Sequence, residues 1–313
     1  MSPTARGLVL VTGASGFVGR ALVPALAADG WQVRAAARDP SRCSLAPGIE
    51  PAAMPDLGQP ANWQPLLKGV THVVHLAGIA HTGVQLPDSA YMRVNTAAAA
   101  ELARAARLTG IARMILLSSI RAQTGPSAVG VVTQDTPPRP TDAYGRSKLA
   151  AESAVAAELG EAACVLRPVL VMGPGVKGNL AALKRLAALP VPLPFAALRN
   201  RRSLLGLANL VSVIRFALIA DSARGGLFVA ADPETITVAE LVAAMRAALG
   251  RRPGIFPVSP GLLEGALAIA GRRALASSLA GELVVDTTRL AAAGWRPVAS
   301  SSQEIGRMMA DNI

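Results

Sequence analysis

The chain has 313 residues, 51% of them hydrophobic, and carries 31 Lys and Arg against 20 Asp and Glu for a formal charge of +11. That length suits one large α/β unit or two domains sharing a cleft. Cys43 and Cys164 are its only cysteines, so no disulfide framework or cysteine-rich zinc site is signalled and no metal is expected. Aromatic residues make up 3% of the chain, too few to stack nucleic acid, and the scattered arginines suit a basic cleft for an anionic substrate better than a phosphate-backbone stripe. No apolar run is long enough to span a membrane, and the amino terminus lacks signal-peptide features, so a cytoplasmic protein is expected.

Residues 8–12 form a short apolar, β-branched run that predicts a strand, and residues 17–28 have helical spacing ending at Gly30. Between them lies Gly13-x-x-Gly16-x-x-Gly19. Glycines at such a turn let backbone amides approach a pyrophosphate, which places Gly13, Ser15, Gly16, Phe17, Val18 and Gly19 against a dinucleotide. Residues 32–37 read as a second strand. A NAD-selective site usually ends that strand on an acidic residue, but here stand Ala37 and then Arg38. A guanidinium there favours the 2′-phosphate of NADP slightly over NAD, unless Arg38 only stacks on adenine or faces solvent. Asp56-Leu57 follows the third strand region and would either bracket the adenine or contribute a simple loop aspartate.

Residues 71–76 predict a strand running through Leu76 into Ala77-Gly78, beside the cofactor. His72 and His75 fall within it and are expected to pack or find backbone partners. His81, beyond the turn, would meet substrate or face solvent. An alanine-rich helix is expected over 91–109, then a strand over 113–117 ending at Ser118-Ser119. Residues 123–140 read as a loop, and Thr141 or Asp142 can cap the next helix, which carries Tyr144 and Lys148 and ends near Gly160. A further strand begins at 164–166 and leads through Arg167-Pro168 to Gly173-Pro174-Gly175. There the composition shifts to loops, a helix over 180–188 and a proline-rich stretch over 190–194. Alternating strands and helices predict a doubly wound parallel sheet over 1–172 with a smaller domain over 173–313, residues 203–222 returning to the main unit and 204–207 adding a strand.

Tyr144 and Lys148, four apart on a helix, share a face, so the ammonium is expected to sit beside the phenol and favour phenolate. Such a phenol can trade a proton with a carbinol while a nicotinamide trades the hydride. Ser119, at the carboxyl end of its strand, would hydrogen-bond the same substrate oxygen, with Ser118 as the alternative. Lys177 and Asn179, in the segment 175–179, and Arg202, in 199–202, supply donors suited to a diphosphate and a nucleobase or sugar; solvated loops are the rival reading.

Together these residues resemble the extended short-chain dehydrogenase/reductase family, in particular its nucleotide-sugar epimerases, dehydratases and 4-ketoreductases. The resemblance implies that Ser119, Tyr144 and Lys148 are catalytic, with Lys148 also holding the nicotinamide ribose. It further implies that Asn95 supports the lysine through water, that Pro168 lies against the cofactor, and that Asn179 and Arg202 contact the nucleotide diphosphate. The acidic residue of NAD-bound UDP-galactose epimerases is missing at Ala37, and their Arg-x-x-Asp is not evident near 277–282. Residues 177–179 and 201–203 resemble instead the subgroup acting on 4-keto-6-deoxy amino sugars of surface polysaccharides. The expected function is reduction at C4 of a UDP-4-keto-6-deoxy-N-acetylhexosamine. A UDP-hexose 4-epimerase with retained NAD, a non-catalytic nucleotide sensor, and a dihydroflavonol-type or steroid-type reductase are the alternatives. A homodimer through the helices over 91–109 and 143–159 is also expected.

Overall fold

A computed structural model describes residues 6–80, 86–269 and 281–311. Twelve strands are placed among the described residues: β1 (Leu8–Thr12), β2 (Gln32–Ala37), β3 (Ile49–Ala53), β4 (Val70–His75), β5 (Arg113–Leu117), β6 (Val131–Val132), β7 (Ala163–Pro168), β8 (Leu170–Met172), β9 (Arg201–Gly206), β10 (Leu227–Ala230), β11 (Thr235–Thr237) and β12 (Val284–Val285). Seven of them form one sheet in the order β10-β7-β5-β4-β1-β2-β3, and every pairing in it is parallel. Helices cover both faces, so the central strands read as near-continuous apolar runs; all six residues of β7 are buried.

The strand order reverses beside β1, whose neighbours are β2 and β4. Open α/β sheets bind ligands at such a switch, beyond the carboxyl ends of the strands. β1 runs into the glycine turn, β4 into Leu76-Ala77-Gly78, and β5 into Ser118-Ser119. Three sequence motifs far apart in the chain therefore meet along one edge of the sheet.

The apolar run at 204–207 does not return to the main sheet as expected. Leu204 and Leu205 belong to β9, the middle strand of a separate three-stranded sheet, β11-β9-β8. The seventh strand of the main sheet is β10, paired with β7. The reason is packing: one strand face serves either sheet, and Leu204 joins a second core with Met172, Leu180, Val242 and Met308. What returns to the main unit from this stretch is the helix Leu207–Ile219, whose Leu210, Val213 and Ile214 pack in the core that holds Val9, Leu22 and Val33. Among the described residues no helix is long and apolar enough to cross a membrane.

Candidate active site

Gly13 has φ +71°, and a Cβ there would lie 2.9 Å from the Ala77 nitrogen, so the turn closes against the end of β4 only with glycine. A Cβ on Gly19 would fall 2.4 Å from the Gly13 carbonyl oxygen, which lets helix Gly19–Ala28 start tight against the turn. That helix opens at Val18 with no side-chain cap. The Arg20 and Ala21 amides donate to the Gly16 and Val18 carbonyls at 3.0 and 3.1 Å, and the helix dipole favours an anion at this end. Thr12 Oγ1 ties the neighbouring strand ends together, lying 2.8 Å from His75 Nδ1 and accepting from the Ala77 amide at 3.3 Å. Complete burial drives His75 down to about 3, so its imidazole is neutral at physiological pH.

At the adenosine side Ala37 is buried and Arg38 is exposed immediately beyond β2. Asp39 caps the following turn, accepting from the Ser41 amide at 3.1 Å and the Ser41 hydroxyl at 2.6 Å. Asp56 is likewise occupied in a local turn, its Oδ1 accepting from the Gly58 amide at 2.9 Å, while Leu57 is buried. Leu76 is half-buried, Ala77 buried and Gly78 exposed.

The serine pair divides its labour. Ser118 is buried and donates to the Glu152 carboxylate, which in turn accepts from Arg167 Nε at 2.9 Å. Ser119 instead caps the turn Ile120–Ala122, its Oγ accepting from the Arg121 amide at 3.1 Å, and its hydroxyl bears on the Tyr144 phenol, favouring the ionised form. Ser118 is thus structural and Ser119 faces the tyrosine. Tyr144 sits in the first turn of helix Ala143–Leu159, capped by Asp142, which accepts from the Gly145 amide at 2.7 Å. Of the two residues offered for that cap, the structure uses Asp142.

Burial raises the Tyr144 pKa, and this outweighs the opposing effects of the Ser119 hydrogen bond and the Arg121 charge. The phenol is a protonated donor in this state. Lys148 is 7% exposed and a buried ammonium must find an acceptor, so Nζ donates to the Leu117 carbonyl at 2.8 Å, at the end of β5. Burial lowers Lys148 to about 8, with Glu152 acting in the opposite direction.

Asn95 lies in a π-helical turn, Met92–Ala97, between Asp88–Tyr91 and helix Ala98–Leu108. Its Oδ1 accepts from the Ile79 amide at 2.9 Å, and Nδ2 donates to the Ile79 carbonyl and the Ser147 hydroxyl, each at 3.0 Å. It therefore fastens the segment after β4 to the Tyr144 helix. Pro168 ends β7, buried, in register with Ala230.

On the side of the smaller sheet, Lys177 and Asn179 are exposed at the start of helix Gly178–Ala188. Arg202 is half-buried on β9, and its Nε and Nη2 atoms are buried without a hydrogen-bond partner. Burial lowers its pKa, a sign that the guanidinium lacks a compensating charge. The Gly173-Pro174-Gly175 loop is held by Asp311, whose Oδ2 accepts from the Gly175 amide at 2.6 Å and whose carbonyl accepts from Lys184 at 2.8 Å. His81 lies outside the described residues. The sequence reading missed the Ser118–Glu152–Arg167 network and the ion pair of Arg121 with Asp142. The first had a signal: Glu152 follows Lys148 by one helical turn and Arg167 stands in the next strand.

Residues 9–235 match the model of the NAD dependent epimerase/dehydratase family. The chain is 32% identical over 300 residues to the UDP-glucose 4-epimerase of Vibrio cholerae, covering 92% of this chain and 90% of that protein. It is 36% identical over 202 residues to the ceramide reductase of Caulobacter vibrioides, covering 64% of this chain and 57% of that one. Among solved structures, MoeE5 in complex with UDP-glucose and NAD aligns with a TM-score of 0.73 at 25% identity, covering 97% of this chain and 98% of the other.

Proposed function

Because this chain belongs to the NAD-dependent epimerase/dehydratase family, we propose that it is an NAD(P)-dependent enzyme working at C4 of a UDP-sugar, and that it reduces a UDP-4-keto-6-deoxy-N-acetylhexosamine. Arg202 carries the substrate class: a buried guanidinium with two unpartnered nitrogens requires an anion, and a nucleotide sugar brings a diphosphate. Lys177 and Asn179 are exposed at a helix start, available to the same ligand. Arg202→Ala is expected to raise the KM for a UDP-sugar more than it lowers kcat, since a diphosphate is held alike in ground and transition states. Steady-state kinetics on the reacting UDP-sugar checks this, and a pure kcat defect would place Arg202 elsewhere.

The glycine turn fits a dinucleotide. Gly16 is the position where a Cβ would meet only one protein atom, the Gly13 carbonyl oxygen at 3.0 Å, so the protein's own packing leaves open a face that a ligand backbone can approach. Gly13, Ser15, Gly16, Phe17, Val18 and Gly19 would hold the pyrophosphate, with Arg38, Asp56 and Leu57 at the adenosine end. Leu76, Ala77, Gly78, Asn95, Pro168, Tyr144 and Lys148 would stand towards the nicotinamide. When bound, the dihydronicotinamide supplies the hydride that C4 accepts. Tyr144 gives its phenolic proton to the C4 oxygen, Ser119 hydrogen-bonds that oxygen, and Lys148 holds positive charge behind the phenol as it ionises.

The direction of the reaction rests on the adenosine end. Ala37 offers no carboxylate to the ribose hydroxyls and the exposed Arg38 can bind a 2′-phosphate, so an exchangeable NADPH, as a reductase needs, is favoured. Arg38→Ala is expected to weaken NADPH by about 1.5 to 3 kcal/mol, the value of a hydrogen bond to a charged group, and NADH by less. Fluorescence titration of both cofactors checks it. A second reading, a 4-epimerase with retained NAD, is favoured by the near full-length likeness to the Vibrio cholerae epimerase. Mass spectrometry of ligands carried through purification separates the two: tightly held NAD together with indifference to NADPH would select the epimerase. A homodimer through the Ala98–Leu108 and Ala143–Leu159 helices completes the proposal, to be tested by light scattering.

A further inference from the structure

We propose that Arg93, on the π-helical turn Met92–Ala97, is a positioning residue for the cofactor: clamped to Glu101, it fixes the loop 56–61 against which the adenosine half of NAD(P) binds. The ion pair is two-pronged. Nη1 donates to Glu101 Oε1 at 2.8 Å and Nη2 to Oε2 at 2.9 Å, the parallel geometry in which a carboxylate holds a guanidinium most firmly. Both partners then grip the loop by its backbone. Arg93 Nη2 also donates to the Gln59 carbonyl, and Glu101 Oε2 accepts from the Ala61 amide at 3.1 Å, so the chain is fastened on either side of Pro60. Arg93 and Glu101 are half-buried, with side-chain exposures of 25% and 30%, which leaves their charges only partly screened.

The loop leaves the sheet at the adenosine end. The Met54 amide donates to the Ala37 carbonyl at 2.9 Å, so the chain enters the loop beside Arg38. Ala37 offers the ribose no carboxylate, which leaves the adenosine to Arg38 and to Asp56-Leu57 and makes the placing of the loop count for more. Leu57 is anchored in the core that holds Trp63, Ala99 and Leu102. The clamp at Gln59 and Ala61 is the second anchor, and it is polar. The same π turn also serves the far end of the cofactor. Residues two apart on a helix do not share a face: Arg93 reaches the adenosine loop, while Asn95 holds Ile79 and Ser147 and Thr96 Oγ1 donates to the Ser147 carbonyl at 2.7 Å. One short element, of a kind that recurs at functional sites, thereby sets the loop for the adenosine relative to the helix that carries Tyr144.

The inference rests on the proposed dinucleotide site but not on the sugar or the direction of the reaction, and its test needs no substrate. The full-length protein is titrated by calorimetry with the cofactor it binds, NADPH or NADH, and with ADP-ribose, which lacks the nicotinamide. Arg93→Gln is expected to weaken the cofactor and ADP-ribose alike by about tenfold, as when the loop is correctly placed in about one molecule in ten. Arg93→Lys, a point charge in place of a planar fork, should fall between the two. Hydrogen exchange should quicken over residues 57–61 and keep the parent rates in the helix Ala143–Leu159. Unchanged cofactor affinity in Arg93→Gln, or exchange quickened equally in both segments, overturns the proposal. If Arg93→Gln does not fold, Glu101→Gln decides alone: weakened cofactor with exchange quickened only in the loop supports the clamp, and any other result, misfolding included, refutes it. A parent protein that binds neither NADPH, NADH nor ADP-ribose would overturn the dinucleotide site itself, and this inference with it; inactivity on every UDP-sugar would count against the proposed reaction alone.

Discussion

Tyr144→Phe is expected to lower turnover by about 10²- to 10⁴-fold, the range for losing a positioned general acid, while thermal stability and cofactor affinity stay close to the parent. The Ser119 hydroxyl bears on the phenol, and the ring packs edge-on to Tyr91 with centroids 6.4 Å apart. Phenylalanine keeps the ring contact and loses only the group that carries the proton. The loss should fall on kcat and kcat/KM together, since the proton moves in the transition state. Stopped-flow or steady-state assays beside a thermal melt check it; normal turnover in the variant would mean that another group protonates the C4 oxygen.

Glu152→Ala should be the most destabilising single change near the centre, by about 3 to 5 kcal/mol, because it leaves a buried charge without its partner. Arg167 and Glu152 are 3% and 6% exposed, the carboxylate accepts from both Nε and Nη2 of Arg167, and Ser118 donates to it as well. Removing the carboxylate strands a guanidinium on a fully buried strand and a hydroxyl beside it. Urea unfolding should show a lower midpoint with an unchanged slope. A loss under 1 kcal/mol, the scale of an exposed pair, would show that water reaches this network.

The main unit was legible because its signals are local. The run at 8–12 followed by spaced glycines, the strand that ends at Ser118-Ser119 and the Tyr-x-x-x-Lys helix each declare themselves within a few residues, and parallel topology follows from their alternation with helices. The alanine-rich helix expected over 91–109 is broken by the π turn at Met92–Ala97, which hydropathy cannot reveal because it follows from Asn95 reaching Ile79 and Ser147. The stretch 204–207 reads as a strand of the main sheet yet lies in and beyond β9 of the smaller one, because an apolar strand does not encode its neighbour. Lys148 was read from helical spacing alone, and its orientation depends on a carbonyl 31 residues away in the chain. Arg121 stands two residues after Ser119, and its ion pair with Asp142, 21 residues further on, is not encoded in local spacing.

The centre built on Ser119, Tyr144 and Lys148 is proposed to reduce C4 of a UDP-4-keto-6-deoxy-N-acetylhexosamine with hydride from an exchangeable NADPH. The direct measurement supplies the purified protein with a UDP-4-keto-6-deoxy-N-acetylhexosamine and NADPH deuterated at C4 of its ring, using each diastereomer in turn, and reads the product by mass spectrometry and NMR. The account predicts one deuterium at C4 of the sugar from one diastereomer alone, matched by stoichiometric oxidation of the cofactor and abolished in Tyr144→Phe. Product lacking deuterium at C4 with both diastereomers, or no conversion of the ketosugar while UDP-glucose is epimerised with no net oxidation of cofactor, would contradict it.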